Sequence, residues 1–220
     1  MLIDLSHPIA SGMPVWPGDP VVCLRSAADL ATTGYNLLAL ELGSQTGTHV
    51  DAPYHVGEDL PRLHEIPLDR FVGPAVVADL REVPAGAPIE PLNLEPIRPR
   101  LAPGVVLLLC TGWSRHWGQA EYADHPWLGP SAARLIVAAG VRTVGIDAPS
   151  VDASSPQPGT DPLLTHRLLA ARHVVIAENL TNLAALLAPS VGAAQVWLMP
   201  LGLRDADGAP VRAVAQVHQP

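Results

Sequence analysis

The stretch TDPLLTHRLLAARHVVIAE, residues 160–178, decides the fold class. Thr160-Asp161-Pro162 reads as a cap with proline in the first helical turn, so LLTHRLLAAR is expected to be a helix. VVIAE follows as a short apolar strand that ends at Glu178. Moving outward, VRTVGID at 141–147 is a second such strand, ending at Asp147, and Pro130-Ser131 opens the helix AARLIVAAG that stops at Gly140. Further upstream, Pro103-Gly104 introduces VVLLLC, an apolar run suited to a strand buried on both faces, and VGPAVVADL at 72–80 reads as another strand. Helix alternating with strand predicts an α/β fold: a single domain over residues 1–220 with a central mixed β-sheet flanked by helices.

The flanks are less regular. Prolines 8, 14, 17 and 20 make the N-terminus a short strand followed by an ordered arm. Residues 34–51 mix apolar and polar positions and suit strands, whereas crowded prolines make 83–100 a loop with at most a short helix. The uncharged segment from Asn179 to Leu203 is interrupted by Asn182, Pro189, Gln195 and Pro200 and lacks a basic flank. It is read as helix, loop and strand rather than a membrane span. The N-terminus has acids and a proline where a signal peptide needs a basic end and an apolar run, so a soluble, cytoplasmic protein is expected.

Composition removes several function classes. Apolar residues are 48% of the chain and charged residues 15%, a core-rich balance incompatible with intrinsic disorder. All 13 basic residues are arginine, which excludes Schiff-base and P-loop lysine chemistry. The net charge of −8 argues against a nucleic-acid partner, which needs a basic surface. Cys23 and Cys110 supply neither a disulfide framework nor a CxxC motif.

The stretch richest in chemistry is QTGTHVDAPYH, Gln45 to His55. In an extended segment Gln45, Gly47, His49 and Asp51 would share one face, with His55 re-entering after Pro53. Two imidazoles and a carboxylate so placed make half a transition-metal site, although spacing alone equally allows a set of surface polar residues. Asp147 and Glu178 close apolar strands, where α/β folds gather ligands, and a helix running back along the sheet would carry His166 towards Glu178. Asp147, Ser150 and Asp152 mimic a hydrolytic triad without a GxSxG elbow and are read as shaping the loop behind the site. His7, His64, His116, His125, His173 and His218 are read as solvent-facing or capping. Trp113, Trp117, Trp127 and Trp197 are read as core or interface, with Trp113 and Trp117 also placed to line a pocket.

Here the residues carry a resemblance. The chain resembles the metal-dependent cyclase family, which includes the bacterial kynurenine formamidases, or arylformamidases. The family pattern HxGTHxDAPxH matches Gln45–His55 at every defined position except the first. VWPGD at Val15–Asp19, GIDAPSVD at Gly145–Asp152, ENLTNL at Glu178–Leu183 and GAPVRAVA at Gly208–Ala215 extend it along nearly the whole chain.

The resemblance implies the swivelling β/β/α-like architecture and a metal-dependent hydrolase of a small amide or formamide. N-formylkynurenine, an intermediate of tryptophan catabolism, is its first substrate; lactone, isatin or polyketide ring chemistry, or a non-catalytic metal-binding relative, are alternatives. It implies one or two divalent ions, zinc first and manganese second, held by His49, Asp51, His166 and Glu178. His55 would be the acid–base group, Trp16 would lie against substrate, and the chain would form a homodimer or tetramer. Asp51 and Glu178 would bridge the ions, because a carboxylate has two oxygens to share; imidazole suits proton transfer near neutrality. Gln45 stands where the family has a histidine ligand. Its amide oxygen is a harder, weaker ligand than imidazole, which points to a loosely held, manganese-preferring or absent first ion.

Overall fold

The computed structural model describes residues 1–155 and 158–218. Nine short strands form one mixed sheet. In spatial order they are Leu2–Asp4, Val214–Val217, Ala194–Trp197, Val72–Asp79, Val106–Cys110, Thr143–Ile146, Val175–Glu178, His49–Asp51 and Gly208–Pro210. The four central strands from Val72–Asp79 to Val175–Glu178 are parallel, and those outside them pair antiparallel. This is the expected α/β mixed sheet, with few helices. Among the described residues, no helix is long and apolar enough to cross a membrane.

Alternation along the central strands separates two cores. Ala75, Val77, Leu108, Cys110, Val175 and Ala177 point to one side, packed by Phe71, Leu183 and Val196. Val76, Ala78, Leu107, Leu109, Val144, Ile146 and Ile176 point to the other, packed by Ile136 of the helix Pro130–Ala138 and Leu169 of the helix Leu164–Ala170. Every residue of Val106–Cys110 is buried, as its unbroken apolar run requires.

The last three strands of this order decide the site. Glu178 pairs opposite His49 and Ile176 opposite Asp51. On the other side of the same short strand, Gly208 pairs with Asp51 and Pro210 with His49. Val50 turns into the first core. Side chains alternate along a strand, so His49, Asp51 and Glu178 emerge together on the side that carries the Leu164–Ala170 helix.

Three expectations are corrected here. The strand around the QTGTHVDAPYH motif covers only His49–Asp51, because Gly47 adopts φ +60° and turns the chain before it; Gln45 and Gly47 therefore precede the strand instead of sharing its face. The second helix begins at Leu164, after a turn in which Asp161 accepts from the Leu163 N–H, so Pro162 is not its first residue. The segment 179–203 forms a 3-10 turn, Leu183–Leu187, before its strand.

Candidate metal centre

Four side chains meet at the sheet edge, all buried: His49, Asp51, His166 and Glu178. His49 Nε2 lies 3.4 Å from Asp51 Oδ1 and 3.6 Å from Glu178 Oε2. His166 Nε2 lies 3.6 Å from Asp51 Oδ2 and 3.4 Å from Glu178 Oε1. Each carboxylate thus offers one oxygen towards each imidazole. His49, Asp51 and Glu178 bring one ligand atom each within 4.8 Å of one another.

The surroundings aim these groups. His49 Nδ1 donates to the Gly47 carbonyl at 2.8 Å, which turns Nε2 inward. The same carbonyl accepts from Asn179 Nδ2 at 3.0 Å, and Asn179 Oδ1 accepts from the Tyr122 hydroxyl at 2.8 Å. His166 Nδ1 is held by Asp152 Oδ2 at 2.7 Å. Asp152 also accepts the backbone N–H groups of Thr165 at 2.8 Å and His166 at 3.0 Å, so one buried carboxylate both starts the helix and orients its histidine. Glu178 Oε1 accepts from the Val151 N–H at 2.7 Å.

The donor set fits a divalent metal. Both oxygens of Asp51 are buried without a hydrogen-bond partner, an expensive state for a carboxylate unless a cation completes it. Burial opposes charge on the imidazoles, yet Asp51 and then Glu178 push His49 up to about 9. Asp152, Asp51 and Glu178 likewise outweigh burial and raise His166 well above the ordinary imidazole range. Burial would raise Asp51, but His49 and His166 hold its carboxyl well below the usual range. A field that would keep protons on two buried imidazoles equally attracts a divalent ion in their place. Two imidazole nitrogens with carboxylate oxygens match the preferences of zinc and its neighbours.

The cluster opens into a cavity of about 330 Å³. Pro14, Trp16, Trp117, Tyr122 and Leu163 make its walls largely apolar, with His55, Gln45 and Asp19 among its polar groups. Among the described residues none of the lining side chains is arginine. Trp16 is 45% exposed at this cavity, in the arm that precedes the first hairpin.

His55 sits in the 3-10 turn Pro53–Val56, its ring centroid 5.8 Å from that of His166. Its Nδ1 lies 3.0 Å from Asp207 Oδ2. The Gln45 amide nitrogen donates to the same oxygen at 2.7 Å.

Asp147 accepts from the Thr111 hydroxyl and from the Thr111 and Gly112 N–H groups, in keeping with the loop-shaping role read for it. Other readings are corrected. His125 is buried, not solvent-facing, between the Pro126 carbonyl and Ser154. His7 is half-buried and stacked on Trp117 at 4.1 Å. Trp117 lines the cavity, whereas Trp113 is buried in the helix-side core. Asp207 and Asn179 are not among the site residues read from the sequence, although Asn179 lies beside Glu178 within the ENLTNL motif.

Sheet position, paired imidazoles and an unpartnered carboxylate together define a candidate divalent-metal centre. The profile of the Cyclase family ("Putative cyclase") matches residues 3–153, and the chain belongs to that family. It is 36% identical to the kynurenine formamidase of Salinibacter ruber over 220 residues, 97% of this chain and 96% of that one. It is 33% identical to the kynurenine formamidase of Geobacillus thermodenitrificans over 96% of this chain and 95% of the relative. Isatin hydrolase A from Labrenzia aggregata, solved bound to benzyl benzoate, superposes with a TM-score of 0.87 at 26% identity, covering 98% of this chain and 93% of that one. The chain is accordingly an enzyme, a metal-dependent amide hydrolase acting on C–N bonds other than peptide bonds.

Proposed function

We propose that the enzyme hydrolyses an aryl formamide, with N-formylkynurenine as first substrate. The observation that carries this reading is the unpartnered Asp51 carboxylate, set between two inward-facing imidazoles at the floor of an aromatic-walled cavity. A cavity of about 330 Å³ accommodates one aromatic ring with a short side chain. Trp16 and Trp117 would flank that ring, and the Asp19 carboxylate suits an ammonium group on the substrate's side chain.

His49 and His166 would each hold a divalent ion, zinc first and manganese second, with Asp51 and Glu178 shared between the two. When bound, such an ion supplies Lewis acidity and makes water a competent nucleophile near neutral pH. The chain's own residues do the rest. Asp152 and the Gly47 carbonyl keep both imidazoles facing inward, the apolar walls limit water, and His55 takes a proton from the attacking water and returns it to the leaving amine. Residues 1–220 would act as one hydrolase domain in the cytoplasm, where Cys23 and Cys110 stay reduced.

The apolar ribbon that follows the arm supports a homo-oligomer. The two-stranded ribbon Cys23–Ala28 and Leu37–Glu41 exposes Leu37, Leu38 and Leu40, beside exposed Leu30 and Tyr35. A lone ribbon of this kind is marginal in water, so a second copy is expected to cover it. Sedimentation as a 23 kDa monomer with full activity would exclude that.

A second reading, ring opening of a neutral isatin-like lactam, is favoured by the lack of arginine among the described cavity residues, which leaves a substrate carboxylate without a guanidinium partner. Metal per chain should be measured alongside turnover of N-formylkynurenine, isatin and simple lactones on one preparation. At least one bound ion and preference for the formamide support the first reading. Preference for isatin supports the second, and a metal-free protein inert to all three refutes both.

A further inference from the structure

Asp207 belongs to no motif read from the sequence, yet its carboxylate gathers three side chains. Ser44 Oγ donates to Oδ1 at 2.7 Å, Gln45 Nε2 donates to Oδ2 at 2.7 Å, and His55 Nδ1 lies 3.0 Å from the same Oδ2. The turn that carries it is tied to the segment that carries His55. Ala52 N–H donates to the Asp207 carbonyl at 2.7 Å, Leu63 N–H to the Ala206 carbonyl at 2.9 Å, and Asp205 N–H to His64 Nδ1 at 3.1 Å. Gly208 permits the approach: a Cβ there would stand 2.5 Å from the Val50 carbonyl oxygen and 2.8 Å from Gln45 Nε2.

Two proton arrangements satisfy these distances. In one, His55 Nδ1–H donates to Asp207 and Nε2 keeps its lone pair. In the other, Gln45 donates a second N–H to an unprotonated Nδ1 at 3.2 Å, and Nε2 carries the proton. The first is a bond from N–H to a charged oxygen and the shorter of the two. Charge-assisted bonds are roughly twice as strong as neutral ones. The reversed Gln45 amide is excluded, because it would set its oxygen 2.7 Å from a carboxylate oxygen.

We propose that Asp207 is the positioning residue for His55. It accepts the Nδ1 proton, so that Nε2 is the nitrogen that takes and returns a proton in the cavity. Gln45, donating to the same carboxylate, braces this pair. The inference rests on the reading of His55 as the acid–base group. It assigns the amide that stands in the family's histidine position to the acid–base machinery.

The test uses zinc-loaded protein labelled with ¹⁵N-histidine, with long-range ¹H–¹⁵N correlations recorded at alkaline pH, where the ring is neutral. The His55 signals are identified by their loss in His55→Gln. The expected result is the Nδ1–H tautomer in the parent and a shift towards Nε2–H in Asp207→Asn. In turnover, Asp207→Asn should lower kcat by roughly 10²–10⁴-fold, as expected for a mis-set base, with KM within a few-fold and zinc per chain unchanged. An Nε2–H tautomer in the parent overturns the proposal, as does parental kcat in Asp207→Asn. The parental tautomer needs neither a folded Asp207 variant nor a known substrate, so this assignment can fail or stand separately from the choice of substrate.

Discussion

Removing the Asp152 carboxylate should weaken the fold and the metal centre together. Asp152 is 5% exposed and accepts three donors: the N–H groups of Thr165 and His166 and the His166 imidazole. In Asp152→Ala all three remain buried and lose their acceptor. A buried donor left unsatisfied costs about 1–3 kcal/mol, so partial relaxation leaves a total near 4 kcal/mol. For a chain of this length each kcal/mol moves the unfolding midpoint by about 2–4 °C, which predicts a fall of roughly 8–16 °C. Asp152→Asn keeps the volume and one acceptor and should lose about half as much. Loss of the imidazole's partner should also weaken metal binding by about 10–100-fold. Thermal and urea unfolding in chelator isolates the first effect, and competition titration with zinc isolates the second. If Asp152→Ala unfolds within about 1 kcal/mol of the parent and binds zinc equally well, the double role assigned to this carboxylate is wrong.

Zinc at about a hundred times its dissociation constant should add about 2.7 kcal/mol to the unfolding free energy, a gain reversed by chelator and absent in Asp51→Asn; an equal gain in that variant would place the ion elsewhere. His49→Ala should lose metal and activity together, whereas His55→Ala should keep its metal while turnover falls roughly 10²–10⁴-fold, and metal analysis beside kinetics separates the two. Burial depresses His7 to about 4, and its Nε2 is buried without a partner. Above the unfolded value of about 6.5 both states are neutral; as pH falls towards 4 only the unfolded chain takes the proton, so stability is lost over that interval. His7→Phe should flatten that decline in urea midpoints measured between neutral and acid pH, and parallel curves for variant and parent would contradict it.

Much of this architecture is local in origin. Val106–Cys110 is legible because a strand buried on both faces needs an unbroken apolar run, and Thr143–Ile146 and Val175–Glu178 because short, mainly apolar stretches rich in β-branched residues follow helix stop signals. His49 and Asp51 announce each other by alternation, and Glu178 and His166 by lying at a strand end and on the helix before it. The edge strand Gly208–Pro210 is only glycine, alanine and proline, and Val214–Val217 is a short run broken by Gln216; only pairing with distant partners makes either a strand.

The sequence by itself determined the α/β class, the helix–strand order around residues 130–178 and the residue types of the centre, since these follow from hydrophobic pattern and ligand chemistry. Only the tertiary structure decided which groups serve His55 and His166. Asp207 reaches His55, and Glu178 faces His49, through antiparallel pairing between segments far apart in the chain. Gln45 turns to Asp207 because Gly47 bends the backbone ahead of the strand. Register and turn geometry bring these atoms within bonding distance, and neither is encoded in the spacing of the residues concerned.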